Sequence, residues 1–357
     1  MAGRPARRKL RIGRADRGPT NGISDVPGVA VGHATVPNEN GAGTGVTAIV
    51  PHGGDLYREK ATASILTVNG YGKLTGIAQV NELGTLETPI LLTNTLSVGT
   101  VWDATVSWML DRFDRPDDPL LSINPVVGEC NDARLSDIRS RQVKASHVFQ
   151  SLEAASCGPV IEGCVGAGAG MTAFGWKSGV GTASRRLQVD GRPFTLGVLA
   201  LPNYGKPEDL VIAGVPIGAT LRPPQRVQDV GAGSIVVVVA TDLPIDHRQL
   251  LRLSKRAAWG VARTGGHCAG TSGEFVVAFT TAHRISAAAP RVHVPRVNDV
   301  GGALDEAFAA AAEATEEAIV SALLAADPAE GAAGRRIEAI PTDRVVALLA
   351  ERGVAYS

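Results

Sequence analysis

The second half of the chain carries the clearest pattern of hydrophobic and polar positions. Continuous apolar runs at 235–240 and 275–279 predict two strands that are buried on both faces. A helix at about 247–263 is predicted between them, and Asp246 is placed to cap it. Its apolar positions recur at helical spacing on one face: Leu250, Leu253, Ala257, Ala258 and Val261.

The remaining pattern mixes short strands with a few helices. An Ala-rich helix is predicted at about 302–326, and Thr342 is predicted to cap a last helix that ends at Gly353. A patchy helical period covers residues 135–155, and 158–218 reads as Gly-rich and short-stranded. Earlier segments bounded by Gly, Pro or Asn predict strands at 28–33, 45–50, 64–68 and 89–93 and a helix at 101–113. The mixed order favours an α/β or α+β layered fold in one domain over residues 21–357.

Composition narrows the class of protein. The chain has 357 residues, 44% of them hydrophobic, so it can bury a large core without metal or disulfide staples. Lys plus Arg and Asp plus Glu both number 35 and aromatics are 4%, so no nucleic-acid partner is expected. No apolar segment resembles a secretory signal or a membrane span, which favours a cytoplasmic protein without a membrane partner.

Two local features have simple interpretations. Residues 1–17 carry seven basic side chains and one acidic one, which predicts a disordered basic arm over residues 1–20. The cysteines show no CxxC spacing and no neighbouring histidine cluster, so free, mostly buried thiols are expected rather than a zinc site. They stand at positions 130, 157, 164 and 268.

Several common active-site motifs are absent. The glycines at 166, 168 and 170 resemble a dinucleotide fingerprint only superficially, because the residues that follow make a poor helix. Turns and close packing explain these glycines better. No serine has the G-x-S-x-G context of a nucleophile elbow, and no phosphate-binding P-loop is present.

The bond between Gly233 and Ser234 is the strongest candidate for chemistry. Gly233 leaves its carbonyl sterically open, and the adjoining hydroxyl can attack that carbonyl and move the acyl group from N to O. Hydrolysis then leaves Ser234 as a new N-terminus whose α-amine, with an unperturbed pKa of about 7.7–8.0, suits a general base. The alternative interpretation is a serine that ends a turn before a buried strand.

The next strand offers supporting side chains. If strands 235–240 and 275–279 run parallel and are joined by the predicted helix, their N-terminal ends share one edge of the sheet. Ser234, Ser272 and Glu274 then meet there. Ser272 can orient the α-amine of Ser234, and Glu274 can hold that pair or receive a substrate ammonium group.

The chain as a whole resembles the self-processing L-aminopeptidase/D-Ala-esterase-amidases and β-peptidyl aminopeptidases. The resemblance covers about residues 21–350 and rests on the number, order and spacing of short matching segments. These segments are 23–33, 44–49, 93–99, 126–132, 203–205, 233–242, 272–274 and 313–319. It implies an αββα sandwich, autocleavage into chains 1–233 and 234–357, a higher homo-oligomer of the cleaved heterodimer, and no metal or cofactor.

The resemblance also implies roles for individual residues. Ser234 matches the nucleophile, Ser272 and Glu274 match its supporting pair, and Asn203 matches an oxyanion-hole donor. Asn131 stands where some members carry a tyrosine, which leaves the second oxyanion contact and the shape of the amine pocket open. Either Glu129 or Glu274 can bind the substrate amine.

The predicted function is an N-terminal-serine aminopeptidase or amidase. It would release an N-terminal α-, β- or D-amino acid from small peptides, amides or esters through an acyl-enzyme at Ser234. One alternative is an amide hydrolase for linear ω-amino-acid oligomers, and a related acyltransferase would favour Thr over Ser. The alternative from another class is a non-catalytic binding protein that kept the fold.

Overall fold

Two β-sheets form the centre of the protein. A computed structural model describes residues 10–38, 41–224, 233–331 and 334–354. The first sheet has four strands in the order β1-β2-β5-β6: β1 (Ala30–Asn38), β2 (Gly41–Val50), β5 (Ile90–Asn94) and β6 (Val126–Cys130). The second has six in the order β4-β3-β12-β11-β10-β9: β3 (Glu59–Gly70), β4 (Thr85–Leu86), β9 (Gly181–Val189), β10 (Arg192–Asn203), β11 (Ser234–Thr241) and β12 (Gly273–Ser286).

Helices cover the outer face of each sheet. The seven α-helices in the described ranges are α1 (Ile77–Leu83), α2 (Val98–Phe113), α3 (Ala145–Glu153), α4 (Ile217–Thr220), α5 (His247–Arg263), α6 (Ala303–Leu324) and α7 (Thr342–Glu351). Two short hairpins complete the elements: β7 (Thr172–Ala173) with β8 (Trp176–Lys177), and β13 (Ala329–Glu330) with β14 (Arg336–Ile337).

The alternating side chains of β11 show how the layers stack. Ile235 and Val237 point into one core with helices α5 and α6. Val236 and its alternate neighbours point into a second core that lies between the two sheets. A third core joins the outer face of the four-stranded sheet, at Leu91 and Val127, to helices α2 and α3. The predicted αββα sandwich is therefore confirmed.

The strongest periodic signals gave the most accurate element boundaries. All eight residues of β11 are buried, as expected for a continuous apolar run in a central strand. Helix α5 begins after Asp246, whose carboxylate accepts the Gln249 N–H at 2.7 Å, so the predicted cap is confirmed. The final helix begins at Thr342, with Pro341 in the cap position, so the prediction that Thr342 caps this helix is wrong by one residue.

The N-terminal segment differs from the prediction. Leu10 and Ile12 are 4% and 2% exposed and join the core beneath helix α6. The Arg17 guanidinium pairs with Glu317 at 2.6 Å. Apolar anchoring and ion pairing therefore hold residues 10–20 in place, and the prediction of a disordered arm is wrong for them. Residues 1–9 lie outside the described ranges.

Other local predictions need correction. Residues 135–155 form only helix α3 and a short 3-10 turn, and 158–218 contains two long strands, β9 and β10. All four cysteines are free, but Cys157 and Cys268 are exposed rather than buried. The Gly-rich segment packs closely as expected, because a Cβ on Gly168 would lie 2.4 Å from the Val180 nitrogen. Within the described residues, no helix is both long and apolar enough to cross a membrane.

Candidate active site

Three strand ends meet at one edge of the six-stranded sheet. Strands β11 and β12 run parallel, with Ser234 opposite Gly273. Strand β10 runs antiparallel to β11 on its other side and places Asn203 opposite Ser234. The predicted parallel pairing of the two buried strands is therefore confirmed. It brings the segment from Ser272 to Glu274 beside the candidate nucleophile.

The side-chain amide of Asn203 has a fixed orientation. Its Oδ1 accepts the backbone N–H of Thr172 at 3.2 Å, so its NH₂ faces the opposite way. That NH₂ donates to the Asn131 carbonyl at 2.8 Å and lies 3.4 Å from Ser234 Oγ. Asn203 therefore presents an N–H donor beside the hydroxyl of Ser234, as an oxyanion-hole donor must.

The carbonyl of Gly233 is polarised by a hydrogen bond, and the space around Gly233 is narrow. Its oxygen accepts the backbone N–H of Gly273 at 3.1 Å. A Cβ at position 233 would lie 2.9 Å from Tyr204 Cβ and 3.1 Å from Ser272 Oγ. The space between Tyr204 and Ser272 thus admits only glycine without a shift. The Gly273 N–H thus already donates a hydrogen bond to the carbonyl that Ser234 would attack.

Ser272 and Glu274 carry polar atoms that lack partners. Ser272 Oγ and Glu274 Oε2 are buried, and neither has a hydrogen-bond partner that meets normal geometry among the described residues. Burial raises the pKa of the Glu274 carboxyl, while nearby Ser272, Asn69 and His267 act in the opposite direction. Buried polar groups are usually satisfied, so these two atoms mark a place prepared for another group.

Asn69 holds the loop that carries Ser272. Its Nδ2 donates to the carbonyls of Ala269 and Ser272, both at 2.8 Å. Strand β3 places Asn69 directly opposite Glu274 in the antiparallel ladder. Sequence reasoning missed Asn69, because no local signal links it to a segment about 200 residues further along the chain.

Glu129 reaches the same region from the four-stranded sheet. Its side chain is 3% exposed, and Oε1 accepts the Lys73 N–H at 3.0 Å. The Thr95 hydroxyl donates to the other oxygen, and Lys73 Nζ lies 3.8 Å from Oε1. Gly72 separates this carboxylate from Gly273, because a Cβ on Gly72 would lie within 3.3 Å of both.

Asn131 contributes its backbone rather than its side chain. The carbonyl receives the Asn203 hydrogen bond described above. The side chain is exposed, and its Oδ1 accepts the N–H of Ala133 at 3.0 Å. This structure therefore places the Asn131 amide in a local turn, away from Ser234.

Cys130 lies beneath Ser234 and was not predicted as part of the site. Its thiol is fully buried, and Sγ donates to the Leu201 carbonyl at 3.3 Å. Burial raises the pKa of this thiol, and the neighbouring Ser234 hydroxyl opposes the shift. A thiol held in its protonated form is a poor nucleophile, so Cys130 does not compete with Ser234.

The surroundings of Ser234 are closed in the uncut chain. The Ser234 residue is 4% exposed. A cavity of about 540 Å³ lies elsewhere, at the far end of the four-stranded sheet, where Trp108 and Cys157 contribute to its wall. None of the residues predicted for catalysis lines that cavity. In the described segments, no cluster of three or more His, Cys, Asp or Glu side chains is arranged to hold a metal ion.

This edge of the sheet combines the parts of a nucleophilic hydrolase. A serine hydroxyl lies at the first position of a central strand, and amide N–H donors lie next to it. Ser272 Oγ, which makes no hydrogen bond of normal geometry among the described residues, lies beside Gly233 on the N-terminal side of the bond. A layered αββα fold with a nucleophile at this position is the arrangement of an N-terminal-nucleophile hydrolase.

Comparisons with known proteins place the chain in a family. The sequence profile of peptidase family S58 matches residues 21–337. The β-peptidyl aminopeptidase BapA of Sphingosinicella microcystinivorans is 39% identical, over 93% of this chain and 88% of that protein. The chain belongs to peptidase family S58, and the predicted family is confirmed.

Solved structures agree with this assignment. A β-aminopeptidase from a Burkholderia species is 41% identical, with a TM-score of 0.89 over 96% of this chain and 97% of its own. The L-aminopeptidase D-Ala-esterase/amidase of Ochrobactrum anthropi is 37% identical, with a TM-score of 0.89 over 97% and 98%. The latter is described as a prototype serine aminopeptidase and a variant of the Ntn hydrolase fold. The protein is thus a serine-type aminopeptidase or amidase of the N-terminal-nucleophile class.

Proposed function

We propose that the chain cuts itself at Gly233–Ser234 and that Ser234 then serves as the nucleophile of an aminopeptidase. The two products, residues 1–233 and 234–357, stay together because all eight residues of β11 pair with residues 196–203 of β10 across the cut. The observation that carries the proposal is the hydrogen bond from the Gly273 N–H to the Gly233 carbonyl, beside the Ser234 hydroxyl.

Self-cleavage follows from this geometry in two steps. Ser234 Oγ attacks the Gly233 carbonyl carbon, the C–N bond breaks, and the hydroxyl proton passes to the nitrogen. The Gly273 N–H and the Asn203 amide lie where they can stabilise the oxyanion of this step. Water then hydrolyses the ester and leaves the Gly233 carboxylate and a free α-amine on Ser234.

The same groups support turnover after the cut. The α-amine takes the proton of Ser234 Oγ as the oxygen attacks the substrate carbonyl, and that proton passes on to the departing amine. Asn203 stabilises the oxyanion. Ser272 Oγ, which lies near Glu274 but makes no hydrogen bond of normal geometry among the described residues, receives a hydrogen bond from the new amine. Water releases the acyl group from Ser234.

The free amine of the substrate is the recognition element. We assign Glu129 as its anchor, because this buried carboxylate is fixed by donors from Lys73 and Thr95 and lies across Gly72 from the reacting edge. Glu274 lies one residue beyond Gly273 on β12 itself and supports Ser272 and the amine of Ser234. The names of the relatives favour N-terminal β-amino acids, with α- and D-residues as alternatives.

Hydrolysis of matched substrates tests this function. The cleaved wild-type protein is incubated with the p-nitroanilides of β-alanine, L-alanine and D-alanine, and with the N-acetylated form of each. We expect release of nitroaniline from at least one free amine and none from its acetylated partner, and Glu129→Gln should raise KM more than it lowers kcat. Equal hydrolysis of the acetylated compounds contradicts an aminopeptidase. Activity only on linear ω-amino-acid oligomers supports the alternative amide hydrolase.

We also propose that the cleaved heterodimers assemble into a homo-oligomer and that the protein is cytoplasmic. The homo-oligomer of cleaved heterodimers is tested by light scattering on the purified protein. Fractionation of cells that express it tests the cytoplasmic location.

A further inference from the structure

Arg134 carries a half-buried positive charge that the mechanism above does not use. Its guanidinium makes one hydrogen bond, from Nη1 to Thr172 Oγ1 at 3.2 Å. In the part of the chain that the structure describes, no carboxylate lies within ion-pair distance of it. Burial lowers the pKa of the guanidinium, and no acidic neighbour opposes that shift. A guanidinium has five N–H donors, so the described residues satisfy only a small part of its capacity.

Two residues, Thr172 and Asn203, link Arg134 to Ser234 through three successive contacts. Thr172, its only hydrogen-bond partner in the described ranges, donates its backbone N–H to Asn203 Oδ1 at 3.2 Å. Asn203 Nδ2 in turn lies 3.4 Å from Ser234 Oγ. The guanidinium is therefore on the side of the site where Asn203 lies. Glu274 lies on the other side of Ser234, on β12, and the Glu129 carboxylate lies across Gly72 from Gly273 on that same strand.

We propose that Arg134 binds the terminal carboxylate of the leaving group, so that the enzyme prefers dipeptides to amides, esters and longer chains. This inference rests on the proposed aminopeptidase function and specifies its substrate. In a dipeptide, the free carboxylate lies two bonds beyond the nitrogen that departs. A substrate bound with its ammonium at Glu129 places this carboxylate on the opposite side of the scissile bond.

The residue type fits this task. Arginine matches a carboxylate with two parallel N–H bonds, which lysine cannot do. Arg134 would be a specificity-determining residue that touches the departing part of the substrate. The expected cost of its loss is therefore confined to substrates that end in a carboxylate. An amide of the same residue offers no negative charge and gains nothing from the guanidinium.

The test compares one dipeptide with its C-terminal amide. The compounds are β-alanyl-L-alanine and β-alanyl-L-alanine amide, which share the scissile bond and the ammonium group. In the wild-type protein we expect kcat/KM to be higher for the free acid. Arg134→Met should lower kcat/KM for the free acid about 10- to 100-fold, mainly through KM, and change the amide by less than threefold. Arg134→Lys should restore only part of the difference.

Arg139→Met provides the matched control. Arg139 is exposed on the same connection and makes no hydrogen bond or ion pair among the described residues. It should leave both substrates unchanged. Equal losses for the acid and the amide in Arg134→Met, or no loss for either, overturn the proposal, because the first result shows a purely structural role through Thr172.

Failure of the proposed function gives a different result. If the wild-type protein hydrolyses neither compound, both are stable ligands and can be titrated by calorimetry. Tighter binding of the free acid that disappears in Arg134→Met still supports the carboxylate anchor. Equal binding of the acid and the amide overturns it.

Discussion

Two buried polar clusters of this protein are built in opposite ways. Around Ser234, the side-chain atoms Ser272 Oγ and Glu274 Oε2 have no partners that meet normal geometry among the described residues. Around Arg185, which is 0% exposed, the guanidinium lies 2.7 Å from Glu317 and 3.5 Å from Glu313. One cluster is incomplete in the uncut chain, whereas the other is already paired.

The two clusters differ in their relation to the proposed cut between Gly233 and Ser234. Arg17 and Arg185 belong to residues 1–233, and their partners Glu313 and Glu317 belong to 234–357. The ion pairs of the Arg185 cluster therefore join the two chains that the proposed cut would produce. The cut does not require these ion pairs to change. In the proposed mechanism, the incomplete cluster gains a further partner, the free α-amine of Ser234, when the chain is cut.

The largest expected effect is on stability, from Arg185→Met. This substitution leaves the Glu313 and Glu317 carboxylates beneath the N-terminal segment without their main cation. Breaking a buried ion pair typically costs about 3–5 kcal/mol of unfolding free energy. Urea unfolding followed by circular dichroism measures the loss. Arg186→Met, at the exposed neighbouring position, should change the midpoint little, and an equal loss in both variants contradicts the role of the pair.

Asn203→Ala tests the other cluster through catalysis. Removal of one oxyanion donor lowers kcat by about 10²–10³. KM should change far less, because the amide acts on charge that develops in the transition state. The rate is normalised to the fraction of cleaved chain, measured by gel densitometry. A variant that keeps more than half of wild-type kcat removes Asn203 from the mechanism.

Asp132 extends this comparison to a buried carboxyl that has no arginine ion pair among the described residues. Thr44 Oγ1 donates to it at 2.6 Å and Asn94 Nδ2 at 3.3 Å, yet burial raises its pKa to about 6. The folded chain thus holds this proton to higher pH than the unfolded chain. The stabilising contribution is complete below about pH 4 and is lost as pH rises through about 6.

Unfolding free energies at pH 4 and pH 7 measure this contribution. A pKa raised from 3.8 to about 6 corresponds to a fall of about 3 kcal/mol over the whole titration, of which about 2 kcal/mol lies between pH 4 and pH 7. Asp132→Asn, which cannot ionise, should remove that fall, whereas Asp137→Asn at an exposed site should retain it. Identical pH profiles for wild type and Asp132→Asn would show that the carboxyl titrates normally.

The smallest expected effect is on the rate of self-cleavage, from Gly233→Ala. Its new Cβ would lie 2.9 Å from Tyr204 Cβ and displace the reacting carbonyl. Overpacking of this kind costs about 1–3 kcal/mol, so cleavage should slow about 5- to 150-fold. A time course on denaturing gels measures it. Gly270→Ala, where a Cβ meets nothing within 4 Å, should cut at the wild-type rate.

The sequence predicted the parts of this molecule that depend on local pattern. The apolar run of β11 and the capped helix α5 gave accurate boundaries, because burial on both faces and a side-chain cap leave local signatures. Their parallel pairing placed Ser272 and Glu274 near Ser234. The resemblance to a family supplied Asn203 and the αββα layers, which the periodic pattern alone did not predict.

The parts that the sequence did not predict depend on distant pairing. Asn69 and Cys130 reach the site through β3 and β6. Asn69 stands in no matching segment, and the segment 126–132 gave no sign that the Cys130 thiol lies beneath Ser234. The donor on the Gly233 carbonyl is a backbone N–H, which any residue except proline would supply at position 273, so no residue type there signals it. The basic composition of the N-terminal segment predicted disorder. That prediction gave no weight to Leu10 and Ile12, the two buried apolar residues that anchor the segment.

The central claim is that Ser234 becomes an N-terminus, and intact mass measures this directly. The wild-type protein and Ser234→Ala are purified in parallel and weighed by mass spectrometry. Division of the 36.9 kDa chain in proportion to length predicts wild-type fragments of about 24 and 13 kDa, the smaller beginning at Ser234. Ser234→Ala should give one full-length mass. A single full-length species in both proteins, or the same two fragments in both, contradicts the account.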